Sequence, residues 1–415
     1  MKIKKVLISN YKNLKNLKMN FEKNDEILDL IVLTGSNGSG KTRILECVLS
    51  CFENYINSNY QENKNRLDIS FQENEKKCFE GNFDLGMFFK ILNSYNWKKA
   101  EPFILGDDSK KDDFFEKEKI LSDNLKIFPK IIYVPTEINF QKMNTASTTL
   151  VQKYKFINIV DTNLIKDIPS YIATKIITAI FQNKNKKVGD VQKKVFDEIN
   201  EIFGILDIDV KIEDISQDGR NIPIFKNSAG DKFDINELSS GEKQLFLRTL
   251  AIRMLNPENS IILIDEPELS LHPKWQQRIV DVYRKIGKNN QIIIATHSPH
   301  ILGSVRKENI MLLDKDDEGK IVVRTGDELY DSYGQPTDRV LKDIMGLQTT
   351  RNPKVFKLLE EVRKIVDRDE YNSDKFKEKY RELKGILGSK DEDIFLIDMD
   401  IKIRKKRGLK NAESK

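Results

Sequence analysis

The stretch Gly35-Ser36-Asn37-Gly38-Ser39-Gly40-Lys41-Thr42 constrains this chain more than any other part of it. It fits the pattern G-x-x-x-x-G-K-[ST] in full. It also lies between an apolar run, Asp29 to Thr34, and a stretch from Lys41 to about Phe52 that reads as a helix. A strand followed by a helix is the setting in which this pattern carries chemistry. The glycines let the backbone curl so that successive N–H groups converge on phosphate oxygens, and the helix N-terminus adds a field favourable to negative charge. Lys41 is expected to reach the β- and γ-phosphates of a nucleotide, and the Thr42 hydroxyl to ligate Mg²⁺.

A second run, Ile261-Ile262-Leu263-Ile264-Asp265-Glu266, is an apolar strand ending in two carboxylates. Asp265 at the strand end suits Mg²⁺, directly or through water. Glu266 is placed to act as general base on an attacking water. The only three histidines, His272, His297 and His300, crowd into the same part of the chain. His297 follows the strand Gln291 to Ala295, at the sheet edge where ligands bind in open α/β sheets, and is expected to meet the γ-phosphate or the water. His272 is a weaker candidate, and His300 weaker still. Leu238-Ser239-Ser240-Gly241-Glu242 precedes another helix. Read one way, it is a second anion site, completing the nucleotide site of another copy through Ser239, Ser240 and Gly241. Read the other way, it is a Ser N-cap with Glu242 at the third helical position.

The rest of the chain fits around these motifs. Strands at Ile3–Ser9 and Leu17–Phe21 open it, and a polar stretch rich in Asn, Lys and Glu runs from 53 to 129, with one short strand at Leu67–Phe71. A strand at Lys130–Val134 leads into a segment, 153–206, that reads as helical with a break near Asn183 to Asp190. Short strands follow over 208–235, with turns at Asp218-Gly219 and Gly230-Asp231. Strands at 261–264, 291–295 and 309–313 alternate with helices, as in a mainly parallel sheet. Four helices and a basic run close the chain. The expected segments are 1–52, 53–129, 130–235, 236–325 and 326–415.

These motifs, in this order, resemble the ATP-binding-cassette class of ATPases. Gly35 to Thr42 match its Walker A, Leu238 to Glu242 its signature, Asp265-Glu266 its Walker B, Glu268 to His272 its D-loop and His297 its switch histidine. The opening strand pair, the Ser-Ser-Gly-Glu wording of the signature and the D-loop Glu268-Leu269-Ser270-Leu271-His272-Pro273 are similar to the RecF/SMC/OLD-like branch rather than to transporter subunits. The phrase Tyr133 to Phe140, with Tyr333-Gly334, Ile344-Met345-Gly346, Arg351, Leu387-Gly388 and Asp391, is similar to the Septu-system ATPases of phage defence, including their retron-associated form.

The resemblance implies an α/β fold: a P-loop NTPase with an ABC-type head, made of a mainly parallel sheet plus an antiparallel β lobe, with a helical insertion and C-terminal helices. It implies ATP and Mg²⁺ as ligands, a head-to-tail pair of copies or a larger assembly, and a role in the cytoplasm controlling a separate nuclease of HNH type, with DNA or a phage-derived molecule as a possible trigger. The competing expectation is a free-standing RecF-like DNA repair ATPase. For the Mg²⁺-sensing glutamine of the class, Gln141 and Glu137 both stand after the strand, and the sequence does not choose between them.

Composition excludes less. Lys and Arg number 70 against 65 Asp and Glu, too even a balance to point to nucleic acid on charge alone. No apolar run approaches the roughly 20 residues of a membrane helix. Cys47, Cys51 and Cys78 have no metal-like spacing and are expected to be core thiols. Phe395-Leu396-Ile397-Asp398-Met399-Asp400 mimics the Asp-x-Asp strand of a Toprim nuclease, but too little chain follows it, so a helix is expected there. The basic run Lys402, Arg404, Lys405, Lys406, Arg407 and Lys410 reads as a solvated helix end, a phosphate contact or a docking point for an acidic partner.

Overall fold

The computed structural model describes residues 1–56, 65–70, 129–138, 155–216, 218, 220 and 222–413. Gln141, Cys78, Gly219 and most of the polar stretch 53–129 lie outside them. The chain forms two compact units, Met1–Val340 and Leu341–Lys415.

The first unit is organised by a seven-stranded sheet. Its strands are β5 (Leu30–Gly35), β7 (Ile131–Val134), β8 (Ile157–Ile159), β12 (Ile261–Asp265), β13 (Gln291–Ala295), β14 (Ile310–Lys315) and β15 (Ile321–Thr325), in the spatial order β15-β14-β5-β13-β12-β7-β8. Every neighbouring pair is parallel except β14 and β15. The central strands β5, β12 and β13 are buried at every position. This explains why they are apolar apart from Thr34, Asp265 and Gln291: a parallel strand covered on both faces has no solvent-facing polar side to show. Each buried Ile, Leu or Val contributes about 1.5–3 kcal/mol, which offsets the roughly 1–2 kcal/mol of ordering a residue. These strands are therefore held by burial.

One face of the sheet, through Ile31, Leu33, Ile261, Leu263, Ile293, Met311 and Leu313, packs with the helix Lys41–Ile56 and an antiparallel lobe. Cys47 and Cys51 lie buried in this layer. The lobe is the sheet β2-β1-β6, made of β1 (Lys2–Tyr11), β2 (Leu14–Asn20) and β6 (Arg66–Ser70). The two-residue strands β3 (Glu22–Lys23) and β4 (Glu26–Ile27) form a hairpin after it. Elsewhere, helices Ile168–Gln182 and Val188–Leu206 stand near a small sheet of β9 (Lys211–Ile215), β10 (Pro223–Lys226) and β11 (Lys232–Asp234).

The segment 153–206 is not helical throughout. Ile157–Ile159 forms strand β8, which extends the parallel sheet by pairing with β7. Its alternation of Ile157, Asn158 and Ile159 is a period-2 signal too short to stand out beside the helical spacing that follows. Strand β15 likewise goes unread in the sequence. It folds back on β14 through the turn at Asp316–Lys320.

In the second unit, helices Pro353–Asp367, Asp374–Leu387 and Glu392–Glu413 share a core of Leu359, Val362, Ile365, Val366, Phe376, Leu383, Ile394 and Ile397. Phe395 to Asp400 are helical, not a strand. Arg404 of the basic run is engaged within this unit, by Asp367, Asp369 and Asp400.

Candidate active site

Because β13 lies between β5 and β12, whatever follows these three strands meets at one edge of the sheet. The phosphate loop leaves β5, Asp265 and Glu266 end β12, and Thr296 and His297 follow β13.

The loop needs its glycines for two separate reasons. Gly35, Gly38 and Gly40 hold φ of 145°, 78° and 98°, where side chains are strained. A Cβ on Gly35 would also stand 2.2 Å from the Leu313 carbonyl oxygen of β14. Lys41 opens the following helix and folds back into the loop, its Nζ donating to the carbonyls of Gly35 (2.9 Å) and Ser36 (3.1 Å). Burial pulls its ammonium down to about 8, against the pull of Glu266, Asp265 and Glu268.

Asp265 is buried, and its two carboxylate oxygens accept from two hydroxyls: Thr42 Oγ1 at 3.1 Å and Thr136 Oγ1 at 2.7 Å. Burial raises its carboxyl above the usual range; the two hydroxyls work against this and Glu266 adds to it. Glu266 sits at φ 44°, a left-handed position for a non-glycine residue. Such a conformation costs about 1–3 kcal/mol and persists only where its surroundings enforce it. Here its N–H donates to the Ala295 carbonyl (2.8 Å), and its own carbonyl accepts from Arg248 Nη1 (3.4 Å). The Glu266 carboxylate stands 3.8 Å from His297 Nε2, both side chains about one-third exposed. Burial first, and then Lys41, lower the histidine below its ordinary value, with Glu266 opposing. The neutral imidazole is therefore favoured at neutral pH.

Three residues that were not among the expected site residues hold this edge together: Glu268, which the sequence matches only to the D-loop, Thr136 and Arg248. Glu268 is half-buried, and its Oε1 accepts from Thr296 Oγ1 (2.7 Å) and the His297 N–H (2.6 Å). Arg248, 2% exposed, donates to the Thr136 carbonyl as well as to that of Glu266. Thr136, one residue before Glu137, is the residue after β7 that reaches Asp265; the Glu137 side chain itself is exposed. One signal was readable: Arg248 interrupts the apolar run Leu245 to Ile252, and a charge within a buried face must have partners.

Ser239 caps the helix Ser240–Met254 with a full capping box. The Ser239 hydroxyl accepts the Glu242 N–H, and the Glu242 carboxylate accepts the Ser239 N–H (3.0 Å). Both readings of this segment remain physically compatible, since Ser240 stays exposed beside the cap. Gly241 packs so closely on the D-loop that a Cβ would stand 2.6 Å from the Ser270 carbonyl oxygen. His272 caps the short helix Pro273–Gln276, its Nδ1 accepting from the Lys274 N–H (3.2 Å). His300 meets the Thr337 hydroxyl at 3.3 Å.

Residues 30–303 match the family model described as AAA domain, putative AbiEii toxin, Type IV TA system. The chain belongs to this family. It is an ATPase, and its fold is α/β with a mainly parallel sheet. Among curated proteins it is similar to Septu protein PtuA of Bacillus thuringiensis, 26% identical over 93% of this chain and 94% of that protein. It is also similar to the Retron Vc95 probable ATPase of Vibrio cholerae, 24% identical over 76% of this chain and 74% of that protein. A solved SMC head domain from Thermotoga maritima aligns with 79% of this chain and all of that one, at 12% identity and a TM-score of 0.40. Among the described residues, no helix is long and apolar enough to cross a membrane.

Proposed function

We propose that this family member is the ATP-hydrolysing regulatory subunit of an anti-phage defence system, and that it controls a separate nuclease. The observation that carries the catalytic part is the convergence at one sheet edge of Lys41, Thr42, Asp265, Glu266 and His297. The likeness to Septu protein PtuA along nearly the whole chain supports the defence role, and the retron ATPase supports it independently.

Each ATP lies along Gly35 to Thr42 of one copy, with Lys41 on the β- and γ-phosphates. Ser239, Ser240 and Gly241 of a second copy close over the γ-phosphate from the other side. Glu266 takes the proton of the attacking water, and neutral His297 donates a hydrogen bond to the transferring phosphoryl group. Thr42 and Asp265 fit Mg²⁺: they are hard oxygen donors in contact, and the Asp265 carboxyl, raised by burial, is one that a cation would keep ionised. When bound there, Mg²⁺ would neutralise charge on the phosphate oxygens. Glu268 and Arg248 hold Glu266 and His297 in place from behind. Pairing is the output, because a nucleotide can shift a conformational equilibrium only by binding one state better.

The test is a pull-down of tagged Glu266→Gln protein expressed from its own operon, with bound proteins and nucleic acid identified. A nuclease recovered in fixed ratio, of HNH type, is the expected result. Recovery with DNA and no protein partner would overturn the defence reading in favour of a repair ATPase.

A further inference from the structure

The last helix, Glu392–Glu413, is apolar on two opposite faces. Its inner face, through Ile394 and Ile397, joins the core of the second unit. Arg351 bridges Asp391 and Asp393, and Arg363 also meets Asp393, so the start of the helix is pinned from within the unit. The outer face carries Phe395 (59% exposed), Leu396 (49%), Met399 (43%) and Ile403 (43%). Helices apolar all round belong to interiors, because such a face gains only when it is covered.

The charges around this stripe indicate what covers it. Glu392, Met399 and Lys406 recur every seven residues, with Phe395-Leu396 and Lys402-Ile403 between them. That is the spacing of a helix-pairing seam. The acidic residue stands at one end of the stripe and the basic residues at the other. Turned end over end, the stripe is complementary to itself: Met399 meets Met399, Phe395 and Leu396 meet Lys402 and Ile403, and Glu392 meets Lys406. A two-fold pairing requires this kind of self-complementary patch.

We infer that the outer face of the helix Glu392–Glu413 is an antiparallel docking surface for the same helix of a second copy. It is separate from the nucleotide-driven pairing proposed above, and neither depends on the other. Four apolar side chains per copy make a small interface. On its own it is expected to hold a weak pair in the micromolar range, and between copies already joined elsewhere it would link pairs into a larger assembly.

The test is sedimentation equilibrium of the full chain without nucleotide, over a hundredfold concentration range around the micromolar. The wild type is expected to dimerise. Phe395→Glu and Met399→Glu are each expected to weaken the dimer at least about tenfold. Glu392→Lys and Lys406→Glu should each weaken it about threefold, and the two combined should restore it. All four positions are exposed, so the melting temperature of the monomer, read below the dimerisation range, should move little. A monomeric wild type throughout the range would overturn the inference and assign the face to a different partner. A double charge swap no tighter than its single parents would also overturn it. Nucleotide is absent, so failure of the head-to-tail reading leaves these outcomes unchanged.

Discussion

The two edges of the parallel sheet are built from the same strands and both carry buried polar side chains, yet they are finished differently. At the edge where the strands begin, Gln291 is wholly buried and fully used. Its Oε1 accepts the Ile3 N–H (2.7 Å), and its Nε2 donates to the carbonyls of Ile3 (2.9 Å) and Leu28 (3.0 Å). Ser260, Asn290 and Lys130 complete that edge, with the Lys130 ammonium on the Asn256 carbonyl. At the opposite edge, Thr34 Oγ1, Arg248 Nε and Glu268 Oε2 are buried without a hydrogen-bond partner, and Glu266 is held at a strained φ. A buried polar group left unmatched costs about 1–3 kcal/mol. One edge thus spends its polar groups on stability, while the other leaves several unmatched at the expense of stability. Such unmatched groups and strain are what the proposed nucleotide site leads one to expect at that edge.

Substitutions can break this comparison. The largest effect is expected from Glu266→Gln. Loss of the base should lower kcat by about 10²–10⁴-fold, with the melting temperature unchanged or raised, as single-turnover hydrolysis and calorimetry would record. Next comes Gln291→Ala at the other edge. It should destabilise the fold by about 2–4 kcal/mol, because it strands the peptide groups of Ile3 and Leu28 and opens a cavity. The kcat of the folded fraction should stay at the wild-type value. Glu268→Gln should separate the two properties at a single residue. The amide keeps one acceptor for Thr296 and His297 but removes a buried carboxylate whose pKa burial has raised. About a tenfold loss of kcat with equal or greater stability is expected.

The smallest effect concerns pH. Burial lowers the Lys130 ammonium to about 8 from its ordinary 10.5. Between these values the unfolded chain holds more protons than the folded one, so this group makes stability rise with pH across that window. Lys130→Met should remove the rise. Its stability advantage over the wild type should be greatest below pH 8 and shrink toward pH 10.5 in denaturant titrations. A constant gap would show that Lys130 keeps its ordinary pKa.

How legible all this is in the sequence depends on how far apart the partners are. The phosphate loop, Asp265 with Glu266, and the helix Ser240–Met254 are each contiguous, and their patterns are complete within a few residues. The central strands betray themselves by their apolar runs. Arg248 and Thr136, by contrast, are partners across 112 positions, and Gln291 and Ile3 across 288. A buried glutamine and a surface glutamine read alike until the fold supplies a partner. Strand β8 escapes for another reason: three residues are too few for a period to assert itself against the helix that follows. Glu137 and Thr136 are neighbours, and only the direction in which the chain leaves β7 decides which of them faces Asp265.

The central claim is that each nucleotide site takes its phosphate loop from one copy and Ser239 to Gly241 from another. Mixing two disabled proteins tests it most directly. Lys41→Ala disables the loop. Ser240→Arg blocks the second segment with a bulky side chain at an exposed position, while Ser239 and Glu242 keep their cap. Each variant alone should be inactive. Mixed in equal amounts, they form pairs in which one site has both of its parts intact, and ATP hydrolysis should reappear. A mixture no more active than its two components, or a Ser240→Arg protein as active as the wild type, would contradict the account.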